Sequence, residues 1–148
     1  MSSDRDEIVE VLIRYATAID QKDWSLFKSC WAEDVVADYG QLGHFTDVEA
    51  LTDVFRAAHD PMGPTYHRMS NFVLEVAGDR ATVRSYFHAV LMLNPGDSGN
   101  WIDTVGHYDD AFIRTAQGWR ISQRAVHIAR LMTGGEVAAA ATSQPAGQ

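Results

Sequence analysis

The side chains best suited to acid–base chemistry are His67, in the segment PTYHRMSN, and Asp20, at the end of an apolar helical pattern. A carboxylate at the carboxyl end of a helix faces the negative end of the helix dipole, so it needs a stabilising partner. An imidazole bonded to that carboxylate through one nitrogen keeps one tautomer and presents its other nitrogen as an acceptor. The two residues together therefore predict a general base that removes a proton from a substrate.

Each of these residues also has a purely structural interpretation. His67 lies among Tyr66, Met69 and Phe72, where a packed imidazole with one hydrogen bond is a common arrangement. Asp20 could instead cap the next helical turn through the KDW segment that follows it. The sequence leaves both interpretations open, and the contact between the two side chains is the observation that separates them.

A general base also needs a nearby group that holds developing negative charge. Hydroxyl, amide and guanidinium groups do this, and the candidates are Tyr15, Tyr39, Asn71 and Arg124. A base with such a donor suffices to remove a carbon-bound proton and then to expel a leaving group or move a double bond. Arg124 has an equal claim to an internal ion pair with an acidic side chain such as Asp110.

The elements that must position these residues begin with helices. Apolar residues recur every three or four positions over 3–20, which predicts a first helix. A short second helix is predicted from Asp23 to about Trp31. A third is predicted over 46–59, where Thr46 and Glu49 have the spacing of a capping box.

After the third helix the apolar period changes from about 3.6 to 2, which is typical of strands. Long strands are predicted over 67–77, 80–93, 101–115 and 119–132, with a loop over 94–100 and a shorter strand, VVADY, before the third helix. This order predicts an α+β fold, with N-terminal helices packed on one face of a curved antiparallel sheet. Such a sheet coils into a cone, whose interior is expected to be a pocket.

Composition and charge exclude several classes of function. The 148 residues, 46% hydrophobic and 22% charged, predict one globular domain over 1–133, followed by a flexible tail over 134–148. A net charge of −8 argues against a nucleic-acid or anionic-membrane partner. The single cysteine, Cys30, permits no internal disulfide and is compatible with a cytoplasmic location. The apolar runs are too short to span a membrane.

Five segments, in this order, resemble the SnoaL-like branch of the nuclear-transport-factor-2-like (NTF2-like) superfamily. They are Tyr15…Asp20-x-x-Asp23-Trp24, Asp34-x-x-x-Asp38-Tyr39-Gly40, His67-x-x-x-Asn71, Gly106-x-Tyr108-Asp109-Asp110 and Gly118-Trp119-Arg120-Ile121-x-x-Arg124. The resemblance covers about residues 5–130 and implies a cone-shaped α+β barrel. This superfamily contains lyases, isomerases, cyclases, hydrolases and non-catalytic binders, so the fold alone does not define the reaction.

Within that superfamily the chain is similar to enzymes that pair an aspartate with a histidine. These are scytalone dehydratase, the bile-acid dehydratases and hexachlorocyclohexane dehydrochlorinase. Asp20 and His67 fall at the positions of that pair, while Tyr15 and Arg124 match a site tyrosine and a pocket arginine. The resemblance therefore implies elimination chemistry that needs no cofactor.

The chain also departs from scytalone dehydratase. Ile19 stands where that enzyme has a tyrosine just before the aspartate, and the strand segment 90–92 has no histidine where that enzyme has a second one. Tyr39 does match one of the two tyrosines with which that enzyme holds its substrate. Because of the two differences, the dehydration mechanism of scytalone dehydratase is not transferable to this chain as a whole.

We predict a cofactor-independent lyase or isomerase, dehydratase-like by resemblance, that acts on a small apolar ring compound of steroid, terpenoid or polyketide type. The catalytic residues would be His67 as base, Asp20 as its orienting partner and Tyr15. The substrate-binding candidates are Arg124, Tyr39, Asn71, His88, Tyr108, Asp110 and Trp24. Two other functions remain open: a non-catalytic small-molecule-binding module and a polyketide-type cyclase.

No metal site is predicted, because His44, His59 and His127 have no ligand spacing to another histidine, cysteine or carboxylate. For His88 the strand pattern leaves the direction open, since either face of that strand could be the inner one. The expected partners are a small apolar substrate and further copies of the chain, as a homodimer or homotrimer associated through the exposed face of the sheet.

Overall fold

The computed structural model describes residues 2–135, which contain three α-helices, six strands and a short 3-10 turn. The elements are α1 (Asp4–Gln21), α2 (Trp24–Lys28), β1 (Trp31–Asp38), β2 (His44–Phe45), α3 (Val48–His59), β3 (Thr65–Ala77), β4 (Arg80–Asn94), β5 (Asp97–Thr115) and β6 (Gly118–Gly134). The predicted tail over 134–148 lies outside the described residues from position 136 onward. In the described part of the chain, no helix combines the length and the apolarity needed to cross a bilayer.

Helix α1 forms as its sequence pattern predicts. Ser3 and Asp6 cap its start reciprocally, the Asp6 amide donating to Ser3 Oγ at 3.1 Å and the Ser3 amide to Asp6 Oδ2 at 3.3 Å. The helix ends where Lys22 adopts a left-handed conformation, with φ of 55°. Its buried face consists of Ile8, Val11, Leu12, Tyr15, Ala16, Ala18 and Ile19. Asp20 follows this face directly and lies in the last turn of the helix.

Two helix boundaries differ from the sequence prediction. Helix α2 ends at Lys28 instead of near Trp31, because Trp31 already pairs with β6 as the first residue of β1. Helix α3 is capped by Asp47, whose Oδ1 accepts from the Glu49 amide at 2.8 Å, and not by Thr46. Sheet pairing and a better-placed carboxylate override the local helix signals in these two places.

The six strands form one open, mixed sheet in the order β2-β1-β6-β5-β4-β3. Strands β3 to β6 form the predicted antiparallel meander, but β1 pairs with β6 in parallel. The predicted loop over 94–100 is much shorter, because Asn94 already pairs with Asp97 across a tight turn. Register shifts in β3, β5 and β6 bend the sheet, as expected for a sheet that curves around a core.

The helices cover the inner face of the sheet and bury its aromatic side chains. Along β4 the buried residues alternate strictly, and they are Ala81, Val83, Ser85, Phe87 and Ala89. The ring of Phe27 from α2 lies 5.7 Å from that of Trp31 and 5.0 Å from that of Phe55, between their centroids. This aromatic core fixes which face of each long strand is turned toward the helices.

Candidate active site

The last turn of α1 and the first residues of β3 bring Asp20 and His67 into direct contact. His67 Nδ1 lies 2.7 Å from Asp20 Oδ1, and the His67 backbone N–H donates to Oδ2 at 2.9 Å. The Thr65 hydroxyl donates a third hydrogen bond, to Oδ1, at 2.9 Å. Together these bonds satisfy a carboxylate that faces the negative end of the α1 dipole.

The hydrogen bond to Asp20 sets the proton positions of the imidazole. A carboxylate only accepts, so Nδ1 carries the proton and Nε2 is the acceptor nitrogen of the neutral ring. No residue within 2–135 forms a hydrogen bond with Nε2 of His67. The His67 side chain is 8% exposed and that of Asp20 is 23% exposed, so the pair lies at the edge of the core. The pair is thus an oriented imidazole whose Nε2 has no hydrogen-bond partner among residues 2–135.

A second imidazole, that of His59 at the end of α3, lies beside the pair. The ring centroids of His59 and His67 are 6.0 Å apart. His59 Nδ1 lies 2.8 Å from the Phe55 carbonyl oxygen, and its ring stacks on that of Phe55 at 5.5 Å. Burial lowers the pKa of His59, because the charged ring would lose hydration, and this outweighs the bond to Phe55. The neutral form of His59 is therefore favoured next to the candidate base.

Arg124, in the middle of β6, forms a fully buried ion pair with Asp110 of β5. Nε and Nη2 of the guanidinium donate to the two carboxylate oxygens at 2.8 and 2.9 Å, and both side chains are 0% exposed. Burial alone would lower the pKa of Arg124, but the Asp110 carboxylate and the neighbouring tyrosines raise it well above its ordinary value. Arg124 thus pairs internally, which was one of its two expected roles.

Three tyrosine hydroxyls meet next to this ion pair. The Tyr15 hydroxyl lies 2.9 Å from that of Tyr39 and 3.3 Å from that of Tyr108, and Arg124 Nη1 donates to Tyr39 at 3.2 Å. The guanidinium carbon lies 3.7 Å from the ring centroid of Tyr108 and 4.4 Å from that of Tyr15. Burial raises the pKa of all three tyrosines, so the hydroxyls remain protonated. We call Tyr15, Tyr39, Tyr108, Asp110 and Arg124 the tyrosine–arginine cluster.

The tyrosine–arginine cluster lies among the buried side chains of the core, where the sequence predicts an open pocket. Its polar groups bond to one another, and its side chains are buried. A cleft of about 650 Å³ opens on the sheet instead, between residues such as Val73, Arg84 and Asp109, and neither member of the Asp20–His67 pair lines it. Of the two side chains in that pair, Asp20 is the more exposed, at 23% against 8% for His67.

Two predicted substrate-binding residues lie away from this site. His88 points to the outer face of the sheet, where its Nε2 lies 3.0 Å from Asp103 Oδ1, because Phe87 and Ala89 occupy the inner face. Asn71 is exposed in the bulge of β3 and has a φ of 55°, which places it outside the core. The structure therefore places His88 on the face opposite the Asp20–His67 pair, and Asn71 forms no hydrogen bond with that pair.

Trp24, also expected to bind substrate, lies next to His59, whose ring in turn lies beside that of His67. Its indole Nε1 donates to Asp60 Oδ1 at 2.9 Å, and its ring centroid is 6.1 Å from that of His59.

The sequence did not indicate the contributions of His59 and Thr65 to this site. Thr65 had a readable signal, because it lies two residues before His67 and shares its strand face. For His59, the sequence offered no signal other than its place at the end of α3.

Three comparisons relate this architecture to known proteins. The model of a family described as the SnoaL-like domain matches residues 1–125. Protein Rv2910c of Mycobacterium tuberculosis, which is uncharacterized, is 33% identical over 127 residues that cover 82% of this chain and 83% of that protein. Both the family model and the sequence relative thus cover most of the chain.

Two solved structures share the fold at low sequence identity. One is assigned as a scytalone dehydratase of Novosphingobium aromaticivorans, with a TM-score of 0.76, 18% identity and coverage of 85% of this chain and 84% of that chain. The other is the hexachlorocyclohexane dehydrochlorinase LinA-type3 of Novosphingobium barchaimii, with a TM-score of 0.74, 16% identity and coverage of 87% and 88%. These neighbours confirm the NTF2-like α+β fold. The chain belongs to the SnoaL-like domain family.

Proposed function

We propose that the protein is a cofactor-independent lyase or isomerase in which His67 acts as the general base. The observation that carries this proposal is the 2.7 Å contact between His67 Nδ1 and Asp20 Oδ1, which leaves Nε2 as an available acceptor. Lyase-type neighbours share the fold, although a fold by itself does not define a reaction. The paired aspartate makes the proposal specific, because it orients the ring and stabilises its charged form.

In the proposed reaction, Nε2 takes a proton from a carbon atom of the substrate. The electron pair of that C–H bond forms a new double bond. In an elimination it expels a leaving group from the neighbouring carbon, and in an isomerisation it displaces an existing double bond, whose electrons take up a proton at another carbon. In a dehydration the leaving group departs as water after it receives a proton. Asp20 stabilises the imidazolium until His67 returns its proton. Each step uses only acid–base groups of this chain and the substrate.

The surroundings of His67 support the proposed substrate class. The rings of His59, Phe55 and Trp24 form the nearby wall, which favours a small apolar compound with a ring, such as a steroid, terpenoid or polyketide-like molecule. The tyrosine–arginine cluster supplies protonated hydroxyls at the inner end, and one of them, Tyr15, would hold a substrate oxygen if its bond to Tyr39 opened.

The decisive experiment measures proton abstraction directly. The protein is incubated in deuterated water with a panel of ring ketones and β-hydroxy ketones, and deuterium uptake and loss of water are followed by mass spectrometry. We expect His67→Ala and Asp20→Asn to lower the rate by about a hundred- to ten-thousand-fold while the circular dichroism spectrum stays native. His88→Ala is the matched control, because it removes an imidazole from the outer face. An Asp20→Asn variant with the wild-type rate would refute the role of the pair.

A second candidate, a non-catalytic small-molecule-binding module, is favoured by one observation. The polar groups of the tyrosine–arginine cluster bond to one another, which leaves His67 without a free donor from the cluster to stabilise developing charge. In that case no variant changes a reaction rate, and His67→Ala alters ligand affinity only a few-fold. A polyketide-type cyclase would use the same acid–base pair, and a cyclised product in the same assay would identify it.

We also propose self-association through the outer face of the sheet. Tyr66, Val73 and Tyr86 are large, exposed side chains on this face, and burying them against a second copy would stabilise a homodimer or homotrimer. Sedimentation equilibrium at micromolar concentration tests this, and a monomer under those conditions would contradict it.

A further inference from the structure

Two imidazoles and a carboxylate converge on the outer face of the sheet, on the side opposite the aromatic core. His107 Nε2 lies 3.6 Å from Asp109 Oδ2, and His127 Nε2 lies 3.3 Å from the same oxygen. The two imidazole rings stack with their centroids 4.6 Å apart and an angle of 22° between their planes. The three potential ligand atoms all lie within 4.8 Å of one another.

The sheet register builds this cluster. His107 of β5 is directly paired with His127 of β6, and Asp109 lies two residues farther along β5 on the same face. A register shift lies between Val105 and Gly106. At Gly106 the backbone of β6 comes so close that a Cβ atom would collide with the carbonyl oxygen of His127. Glycine at this position therefore permits the approach that brings the two histidines together.

The donor set is suited to a transition-metal ion. Neutral imidazole nitrogens and a carboxylate oxygen are ligands of Zn²⁺ and its first-row neighbours. Around a tetrahedral ion with bonds of about 2.1 Å, ligand atoms are separated by about 3.4 Å. The separations of 3.3 and 3.6 Å to Asp109 Oδ2 already match this geometry. Two rings with their Nε2 atoms directed at one carboxylate oxygen form such a site with small side-chain rotations.

We propose that His107, His127 and Asp109 form a binding site for a divalent transition-metal ion. In the single chain all three side chains are accessible to solvent, so the fourth position is open to water or to an exogenous ligand, provided that the proposed contact between copies leaves this part of the outer face uncovered. The site uses no residue of the Asp20–His67 pair and lies on the other face of the sheet. It therefore stands independently of the proposed lyase or isomerase activity.

Arg84 of β4 sets the strength of this site. Its Nε and Nη2 donate to Asp109 Oδ1 and Oδ2 at 2.7 and 2.9 Å, from the strand that pairs with β5 on the side opposite β6. Such a partner holds the carboxylate in position, as the hydrogen-bonded neighbours of metal ligands usually do. Its positive charge also opposes a cation, so we expect a dissociation constant in the micromolar range, weaker than that of a closed structural zinc site.

The test is a titration of the full chain, freed of metal by dialysis against a chelator, with Co²⁺ and then Zn²⁺. Visible absorption reports Co²⁺ coordination, and equilibrium dialysis counts bound Zn²⁺. We expect one ion per chain, and in each of His107→Gln, His127→Gln and Asp109→Asn a loss of affinity larger than the roughly ten- to hundred-fold caused by removing only a hydrogen-bonded neighbour of a ligand. His88→Gln is the matched control, since this imidazole lies on the same face beside a single carboxylate, and its affinity should equal that of the wild type.

Thermal unfolding with and without Zn²⁺ is the second measurement. At one fixed Zn²⁺ concentration the ion should raise the Tm of the wild type and of His88→Gln, and raise the Tm of the three ligand variants by less. The proposal is overturned if the wild type binds neither ion at 100-fold molar excess. It is also overturned if His127→Gln and Asp109→Asn bind as tightly as the wild type, because other histidines would then hold the ion.

Discussion

Replacing Asp110 with asparagine should destabilise the protein by about 3 kcal/mol, because the positive charge of Arg124 would remain buried without a counter-ion. The two side chains are 0% exposed and share two hydrogen bonds of 2.8 and 2.9 Å. Asparagine keeps one acceptor oxygen for the guanidinium but loses the charge and the second acceptor. We therefore expect a cost at the lower end of the range for breaking a buried ion pair.

The adjacent residue provides a matched control. Asp109 lies on the same strand and also accepts two hydrogen bonds from one arginine, Arg84, at 2.7 and 2.9 Å. That pair is 53% and 38% exposed, so Asp109→Asn should cost less than about 1 kcal/mol. The two substitutions make the same chemical change to neighbouring residues and differ in burial. The difference between the two losses in free energy of unfolding therefore measures the effect of burying the charge.

Urea unfolding followed by tryptophan fluorescence, in a buffer with chelator, gives both free energies of unfolding. For a chain of this size the Asp110→Asn variant should also unfold about 6–12 °C below the wild type. Equal losses in the two variants would refute the reasoning, since the buried pair would then behave like an exposed one. A loss below about 1 kcal/mol for Asp110→Asn would show that the ion pair does not compensate a buried charge.

Two further predictions follow from other buried groups. The folded-state pKa of His59 lies below its ordinary value of 6.5, so the unfolded chain binds a proton that the folded chain does not. Stability should therefore fall as the pH drops below 6.5, and urea unfolding of His59→Gln should show a smaller loss than the wild type; equal pH profiles would contradict this. Burial raises the pKa of the Cys30 thiol to about 11, so a thiol-reactive disulfide reagent at pH 8 should label it at least about 100-fold faster in denatured than in folded protein. Rapid labelling of the folded protein would contradict that prediction.

The helices and strands were largely predictable from the sequence, because apolar periodicity reflects which side of an element is buried. The buried face of α1 and the strict alternation along β4 follow the predicted periods. The boundary of α2 near Trp31 was not predictable, since Trp31 joins the sheet through pairing with a strand about 90 positions away in the chain. The parallel pairing of β1 with β6 arises from the same long-range contact.

For the candidate site, the chemistry of single side chains indicated which residues pair, whereas the local sequence pattern did not indicate which face of the sheet they lie on. The helix-end carboxylate of Asp20 required a partner, and this argument with the family resemblance indicated His67. The local sequence did not specify on which face of the sheet His88 lies. Alternation assigns neighbouring residues to opposite faces of a strand, but it does not say which face the helices cover. The His107–His127 pair arises from the register between β5 and β6, which no spacing along one segment reveals.

The sequence by itself determined the elements, the α+β class and the candidate acid–base residues, because these depend on periodicity and on the chemistry of single side chains. Only the tertiary structure decided that Arg124 pairs with Asp110 inside the core, that the tyrosine hydroxyls bond to one another, and that two histidines meet outside it. The physical reason is that hydrogen bonds and ion pairs form between atoms a few ångströms apart. Residues distant in sequence reach such distances only when packing and strand register place them there.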